Sequence, residues 1–330
     1  MSSLSHDRPG RGEPDVKTQG ASTSRRALLT AGAGVALAAA LPVGAARAAS
    51  ASASASVSVS RHGEGEVVAR LRELEREYGA RLGVYARDTA TGRTVAHRAD
   101  ELFPMCSVFK TLAVAAVLRD LDHDGAHLAK RIHYTLQDVT DAGGGSVTER
   151  PENIAGGLTV AQLCSAAIAQ SDNLAGNLLL RELGGPTAVT RFCRSLGDRT
   201  TRLDRWEPAL NSAEPSRVTD TTSPRAIGRT YARLALGDAL DSGDREQLNR
   251  WLLSNTTSAD RLRAGLPKDW AVADKTGAGS YGTNNNVGIA WPPGRPPLVL
   301  SILSTLPEPT APRDNTLIAR TAKLLADALA

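Results

Sequence analysis

The sequence predicts a mixed α/β (α+β) fold: one antiparallel sheet flanked by helices, with an inserted all-helical lobe. Three observations predict it. β-Prone runs occupy residues 82–98 near the start of the folded part, and return at 270–276, 287–291 and 298–304. Between them, roughly residues 107–253 carry helical patterning broken by Gly- and Pro-containing loops. Amphipathic stripes at both ends, Val67, Leu71, Leu74 and Tyr78 early and Leu317 to Leu329 late, each need a surface to cover. Early and late strands around a helical middle imply one sheet assembled from both ends. The cleft between sheet and helical lobe is then the default place for a site.

Taken in order, the chain opens with a polar stretch and then Ser24-Arg25-Arg26-Ala27-Leu28-Leu29, followed by an Ala/Gly/Val/Leu run to about Leu41. That pattern is a twin-arginine export signal. The apolar run is short, interrupted by Gly, and ends at Ala46-Arg47-Ala48, an A-x-A cleavage site, so a retained membrane helix is not expected. The expected division is a signal peptide over 1–48, an Ala/Ser spacer over 49–61 with nothing to bury, and a catalytic domain over 62–330. The expected location is secreted or periplasmic. Within the domain, Thr91-Gly92 between β-prone runs marks a hairpin.

Composition narrows the function classes. The net charge of +4 is spread along the chain without a dense basic block, and aromatics are 4%, so nucleic-acid binding is a poor explanation. Cys106, Cys164 and Cys193 are odd in number and lack CxxC spacing, which excludes a thiol–metal cluster and a multi-disulfide scaffold. At most one bridge is open to them, Cys164 to Cys193, and buried free thiols are the plainer reading. His123 and His127 imitate a metal-binding pair, but the segment lacks the usual Glu and contains Gly125, so neither metal nor other cofactor is expected. The chain has only six lysines among its 39 basic residues, at 17, 110, 130, 268, 275 and 323. A desolvated lysine can give up its proton and a guanidinium effectively cannot, so each lysine is a candidate for proton-transfer chemistry.

Four motifs carry that chemistry. Ser107-Val108-Phe109-Lys110 leads into the apolar run Leu112 to Leu118, placing Ser107 at a helix start with Lys110 three residues on, within reach of its hydroxyl. The unpaired N–H groups of a helix start suit a developing oxyanion. Ser171-Asp172-Asn173 lies between two helical stretches, with Ser171 a candidate proton shuttle and Asn173 a substrate-binding amide. Lys275-Thr276-Gly277-Ala278 ends a strand, where Lys275 and Thr276 suit a substrate carboxylate and the small residues admit a ligand along the edge. Glu207 and Asn211 sit four apart on an irregular stretch and suit one shared water, with Glu207 as its base. Each motif alone has a bland reading as a cap, a turn or a solvated charge. All four in chain order do not.

Together with the stretches SDNLAGNLLL from Ser171 and RLDRWEPALN from Arg202, these motifs resemble the class A serine β-lactamases over residues 62–330. The resemblance implies a fold of the serine β-lactamase and penicillin-binding-protein type, and hydrolysis of a small-molecule β-lactam by a monomer that confers β-lactam resistance. It implies Ser107 as nucleophile and either Lys110 or Glu207 as acylation base. The N–H groups of Ser107 and Ala278 would form the oxyanion hole, Glu207 and Asn211 would hold the deacylating water, and Arg205 would pair with Asp220 to close the loop that carries them. Asn284 stands where many members carry a carboxylate-binding Arg, and Arg261 resembles the alternative supplier. Cys164 matches half of a family disulfide whose partner position is Val114 here. Gly279 likewise stands where Cys106 would need a partner. The Gly-rich run Asp141 to Ser146 is expected to give a looser cleft rim. A penicillin-binding D,D-peptidase or an acyl-trapping β-lactam sensor would share the Ser, Lys and K-T-G parts, and the Glu207/Asn211 pair separates them from the hydrolase.

Overall fold

The computed structural model describes residues 65–330; the signal, the spacer and residues 62–64 lie outside the described residues. Helix α1 covers 65–78 and ends at Gly79, whose positive φ of 56° suits a residue without a Cβ. A hairpin follows, β1 Arg81–Asp88 and β2 Thr94–His97, its turn held by the Asp88 carboxylate, which accepts from the Ala90 amide at 2.8 Å and the Thr91 hydroxyl at 2.7 Å.

The middle of the chain is helical as expected. Short strand β3 Phe103–Pro104 leads into a 3₁₀ turn, Cys106–Val108, and helix α2, Phe109–Asp120. Then come α3 Ala126–Ala129, β4 Arg131–Ile132, α4 Leu136–Asp141, α5 Pro151–Gly156, β5 Leu158–Thr159, α6 Val160–Ala169, α7 Asn173–Glu182 and α8 Thr187–Ser195. A long loop carries a second 3₁₀ turn, Ala209–Ser212, and returns through β6 Thr221–Thr222, which pairs with β3. Helices α9 Pro224–Ala235, α10 Ser242–Leu253 and α11 Leu262–Gly265 precede β7 Ala271–Ala278, β8 Asn284–Trp291 and β9 Leu298–Thr305, and α12 Asn315–Leu329 closes the chain.

Five strands form one antiparallel sheet in the order β2-β1-β9-β8-β7, so the first and last strands of the chain lie side by side. Strand alternation gives the sheet two buried faces. Leu82, Val84 and Ala86 point to one, where α1 and α12 contribute Leu71, Leu74, Ile318 and Leu325. The other meets α9 and the helical lobe, whose core includes Ala273, Val287 and Leu303 from the sheet. Gly83 is required on that side: a Cβ there would lie 2.4 Å from the Phe103 ring. Helix α2 is buried from Phe109 to Leu118, apolar on nearly every side, as a helix at the centre of a lobe must be.

Strand β8 starts three residues earlier than the sequence predicts. Asn284, Asn285 and Asn286 oppose strand formation by propensity, yet all three are fully buried in it. Tertiary partners override the propensity. Asn285 donates to the Pro104 carbonyl at 2.8 Å, and Asn286 to the Asp274 carboxylate at 2.6 Å. The cleft rim is closely packed at Gly145, while Gly144 beside it has open space around it. A Cβ on Gly145 would meet the Thr148 hydroxyl at 2.2 Å, and Asp172 holds the Val147 and Thr148 amides, both at 2.9 Å. All three cysteines are buried free thiols, with Cys164 and Cys193 unbridged. No helix among the described residues is long and apolar enough to cross a membrane.

Candidate active site

Ser107 lies within the 3₁₀ turn, and α2 begins two residues later. The expectation that Ser107 opens the helix is thus met one turn early, by tightening of the entry. Cys106 adopts φ 48°, an unusual conformation for a residue with a Cβ, and the turn is fixed by its surroundings: the Met105 amide donates to the Asp220 carbonyl at 2.8 Å, and Tyr231 of α9 donates to the Val108 carbonyl at 3.0 Å.

Lys110 Nζ is fully buried and ringed by four oxygens: Ser107 Oγ at 3.0 Å, the Ser171 carbonyl at 2.7 Å, Asn173 Oδ1 at 2.8 Å and Glu207 Oε1 at 3.0 Å. Ser107 Oγ in turn donates to Glu207 Oε1 at 3.2 Å. The nucleophile candidate therefore touches both candidate bases. Glu207 is 3% exposed, and its second oxygen accepts from Asn211 Nδ2 at 2.5 Å. Removing one member of a buried ion pair of this kind typically costs about 3–5 kcal/mol, because the other charge is left uncompensated.

The loop that presents Glu207 is tied at two places. At its neck, Asp220 accepts from the Asp204 and Arg205 amides at 2.8 and 2.9 Å and from Arg205 Nε at 2.5 Å, the pairing expected from sequence. At the site, Asn177 of α7 clamps the Glu207 backbone from both sides: Glu207 N–H donates to Asn177 Oδ1, and Asn177 Nδ2 donates to the Glu207 carbonyl, each at 2.9 Å. The Glu207–Pro208 bond is cis. Sequence reading missed Asn177, although an amide four residues after Asn173 in an otherwise apolar helix was the available signal.

Across the cleft stands edge strand β7. Lys275 Nζ donates to Ser171 Oγ at 2.8 Å and to the Thr276 carbonyl at 2.9 Å, which joins the second and third motifs. Burial, and after it the like charge of Lys110, push the Lys275 ammonium well below the ordinary lysine range. Thr276 Oγ1 lies 2.5 Å from Thr257 Oγ1, a partner sequence reading did not single out. The Gly279 amide donates to the Thr283 carbonyl at 3.2 Å, so by antiparallel alternation the Ala278 amide one residue earlier faces away from β8, toward the open edge. Gly277 packs closely on the nucleophile turn, its absent Cβ falling 2.9 Å from the Met105 carbonyl.

Arg261 is 7% exposed, and its Nε and Nη1 have no partner among the described residues. Burial, with a smaller contribution from Arg313, lowers its guanidinium to about 10. Asn284, by contrast, is spent on structure, donating to the Asp314 carbonyl at 2.9 Å. His127 lies 3.4 Å from the Glu182 carboxylate.

The four motifs thus converge on one cleft, and the chain as a whole is similar to known proteins. The Beta-lactamase enzyme family model matches residues 66–329. The chain is 64% identical over 312 residues to a "Beta-lactamase" of Streptomyces lavendulae, covering 94% of this chain and 99% of that one. The solved β-lactamase from Streptomyces albus G is 65% identical, with TM-score 0.80 over 80% of this chain and 100% of that one. A solved β-lactamase from Desulfarculus baarsii is 43% identical, with TM-score 0.77 over 80% of this chain and 97% of its own. Fold, sequence and the converging Ser, Lys, Glu and K-T-G groups agree, and the chain belongs to the β-lactamase enzyme family.

Proposed function

We propose that this enzyme opens the β-lactam amide through an acyl-enzyme on Ser107, and that its activity confers β-lactam resistance. Ser107 Oγ attacks the lactam carbonyl carbon while its proton passes to Lys110 or Glu207, both of which lie within hydrogen-bond reach. The amides of Ser107 and Ala278 receive the oxyanion, each such donor typically worth about 3 kcal/mol. The ring C–N bond then breaks, and Ser171, held by Lys275, delivers a proton to the leaving nitrogen. Lys275, Thr276 and Arg261 hold the substrate carboxylate, while Asn173 and Gly277 position the rest of the ligand. Glu207, with Asn211, takes a proton from the water that cleaves the ester and regenerates Ser107.

The observation that carries this reading is the buried Glu207 carboxylate within 3.2 Å of Ser107 Oγ and bonded to Asn211. A penicillin-binding peptidase or a sensor has no need of that pair. Glu207→Ala is expected to acylate with penicillin and then stall, so that intact-mass spectrometry finds protein plus one drug mass. Nitrocefin turnover equal to the parent's removes Glu207 from deacylation.

The site is complete within one chain, which supports a monomer as the working unit. We further read residues 1–48 as a twin-arginine signal that sends the enzyme out of the cytoplasm. The match to the Streptomyces lavendulae protein supports a shared leader, since its 312 residues exceed what 62–330 can supply.

A further inference from the structure

Far from the catalytic groups, the sheet and α9 leave a gap. The small buried apolar cluster of Ala235, Ile289 and Val299 is covered by Ala232, Leu236 and Trp291, which are themselves only half-buried. Tyr85, Trp291, Pro297 and Val299 line one wall of a groove of about 860 Å³, and Gly228 and Ala232 of α9, with Leu236 just beyond its end, line the other. A volume of this size accommodates a drug-sized molecule. Gly228 shapes it: a Cβ there would stand 2.8 Å from the Tyr85 ring.

The mouth is cationic. Arg225, Arg229 and Arg233 recur every four residues and so share one face of α9, and Arg87 reaches the groove from β1. Two of these four are engaged. Arg225 grips Asp100 at 2.8 and 3.0 Å and lies over the Tyr85 ring, and Arg233 donates to the Leu196 carbonyl at 2.6 Å. Arg87 and Arg229 are exposed and form no ion pair or side-chain hydrogen bond among the described residues. Asp100, the carboxylate whose proton affinity Arg229 also lowers, is already held by Arg225.

We propose that this groove binds an amphiphilic organic anion: a single carboxylate or sulfonate paired by Arg87 and Arg229, with an aromatic body seated against the half-buried Ala232, Leu236 and Trp291. Apolar floor and cationic rim match opposite ends of such a molecule. A planar guanidinium fork suits its acidic group, and a neutral apolar ligand would use the floor alone.

The test uses the mature enzyme and 1-anilinonaphthalene-8-sulfonate, whose fluorescence rises on entering an apolar site, with neutral N-phenyl-1-naphthylamine as comparator. The anion is expected to titrate one saturable site. The double substitution Arg87→Glu/Arg229→Glu should weaken it by about tenfold or more, the size of one lost charge-assisted contact, and should change the neutral probe by less than about twofold. Ala232→Trp, which fills the groove, should abolish both signals. Nitrocefin turnover at the parent rate verifies that each variant is folded, and Arg87→Gln/Arg229→Gln replaces the charge reversal should that pair unfold the chain. Absence of saturable binding overturns the proposal, as does an anion affinity indifferent to both arginines. So does loss of the probe once the Glu207→Ala enzyme is acylated with penicillin, since that result puts the probe in the catalytic cleft.

Discussion

The two cations proposed to hold the substrate carboxylate, Lys275 and Arg261, both sit in environments that disfavour their charge. Lys275 is lowered by burial and then by Lys110, and Arg261 by burial to about 10. The consequence has a definite sign. kcat/KM reports groups of the free enzyme, so its alkaline limb is expected to fall below 10.5, the pH at which an ordinary lysine is half deprotonated. A profile flat through pH 10.5 contradicts the Lys275 assignment. Between its lowered folded pKa and its unfolded value, Lys275 binds fewer protons folded than unfolded, so its burial destabilises the empty enzyme below that window, and this effect fades as pH rises. Arg261→Ala is expected to raise KM roughly tenfold with the fold intact, the size of one charge-assisted bond. An unchanged KM removes Arg261 from carboxylate binding.

The elements that matter most are those that carry polar groups into a buried cleft. The loop bearing Glu207 has little regular structure, and it is fixed instead by Asp220 at its neck and Asn177 at its tip. Asn177→Ala strands the Glu207 amide and carbonyl, at a cost of about 1–3 kcal/mol for each buried group left unsatisfied. Because Glu207 then loses its position relative to Ser107, deacylation is expected to slow more than acylation. Stopped-flow nitrocefin hydrolysis should show a burst absent from the parent, and equal slowing of both phases argues for a general loss of folding instead. On the same principle, three consecutive asparagines sit in β8 because Pro104, Asp274 and Asp314 accept from their side-chain amide N–H groups there.

For the whole molecule, one sheet assembled from both chain ends gives α1 and α12 a shared face to cover, while the helical lobe packs on the other side. The proposed catalytic groups come from the Cys106–Val108 turn, α2, the turn before α7, the 202–222 loop and β7, so the site exists only when lobe and sheet are joined. Export after folding, as a twin-arginine route requires, fits such a design. Protein recovered from culture medium is expected to begin at Ala49, which its intact mass will report. An N-terminus at Met1 refutes the signal.

Local sequence was enough to name most of the site and the fold class, because nucleophile and Lys110 share one helical turn, capping and strand alternation are short-range, and the apolar periodicities mark both sheet-covering helices. It placed Ser107, Lys110, Ser171, Glu207 and Lys275 as candidates, and only the family resemblance implied that they share one site. Tertiary structure alone decided what depends on distant partners: the clamp of Asn177 on Glu207, the pairing of Thr257 with Thr276, the close packing at Gly145, and the groove beneath α9. The physical reason is that a hydrogen bond or a packed contact between residues tens of positions apart leaves no periodic trace in either segment.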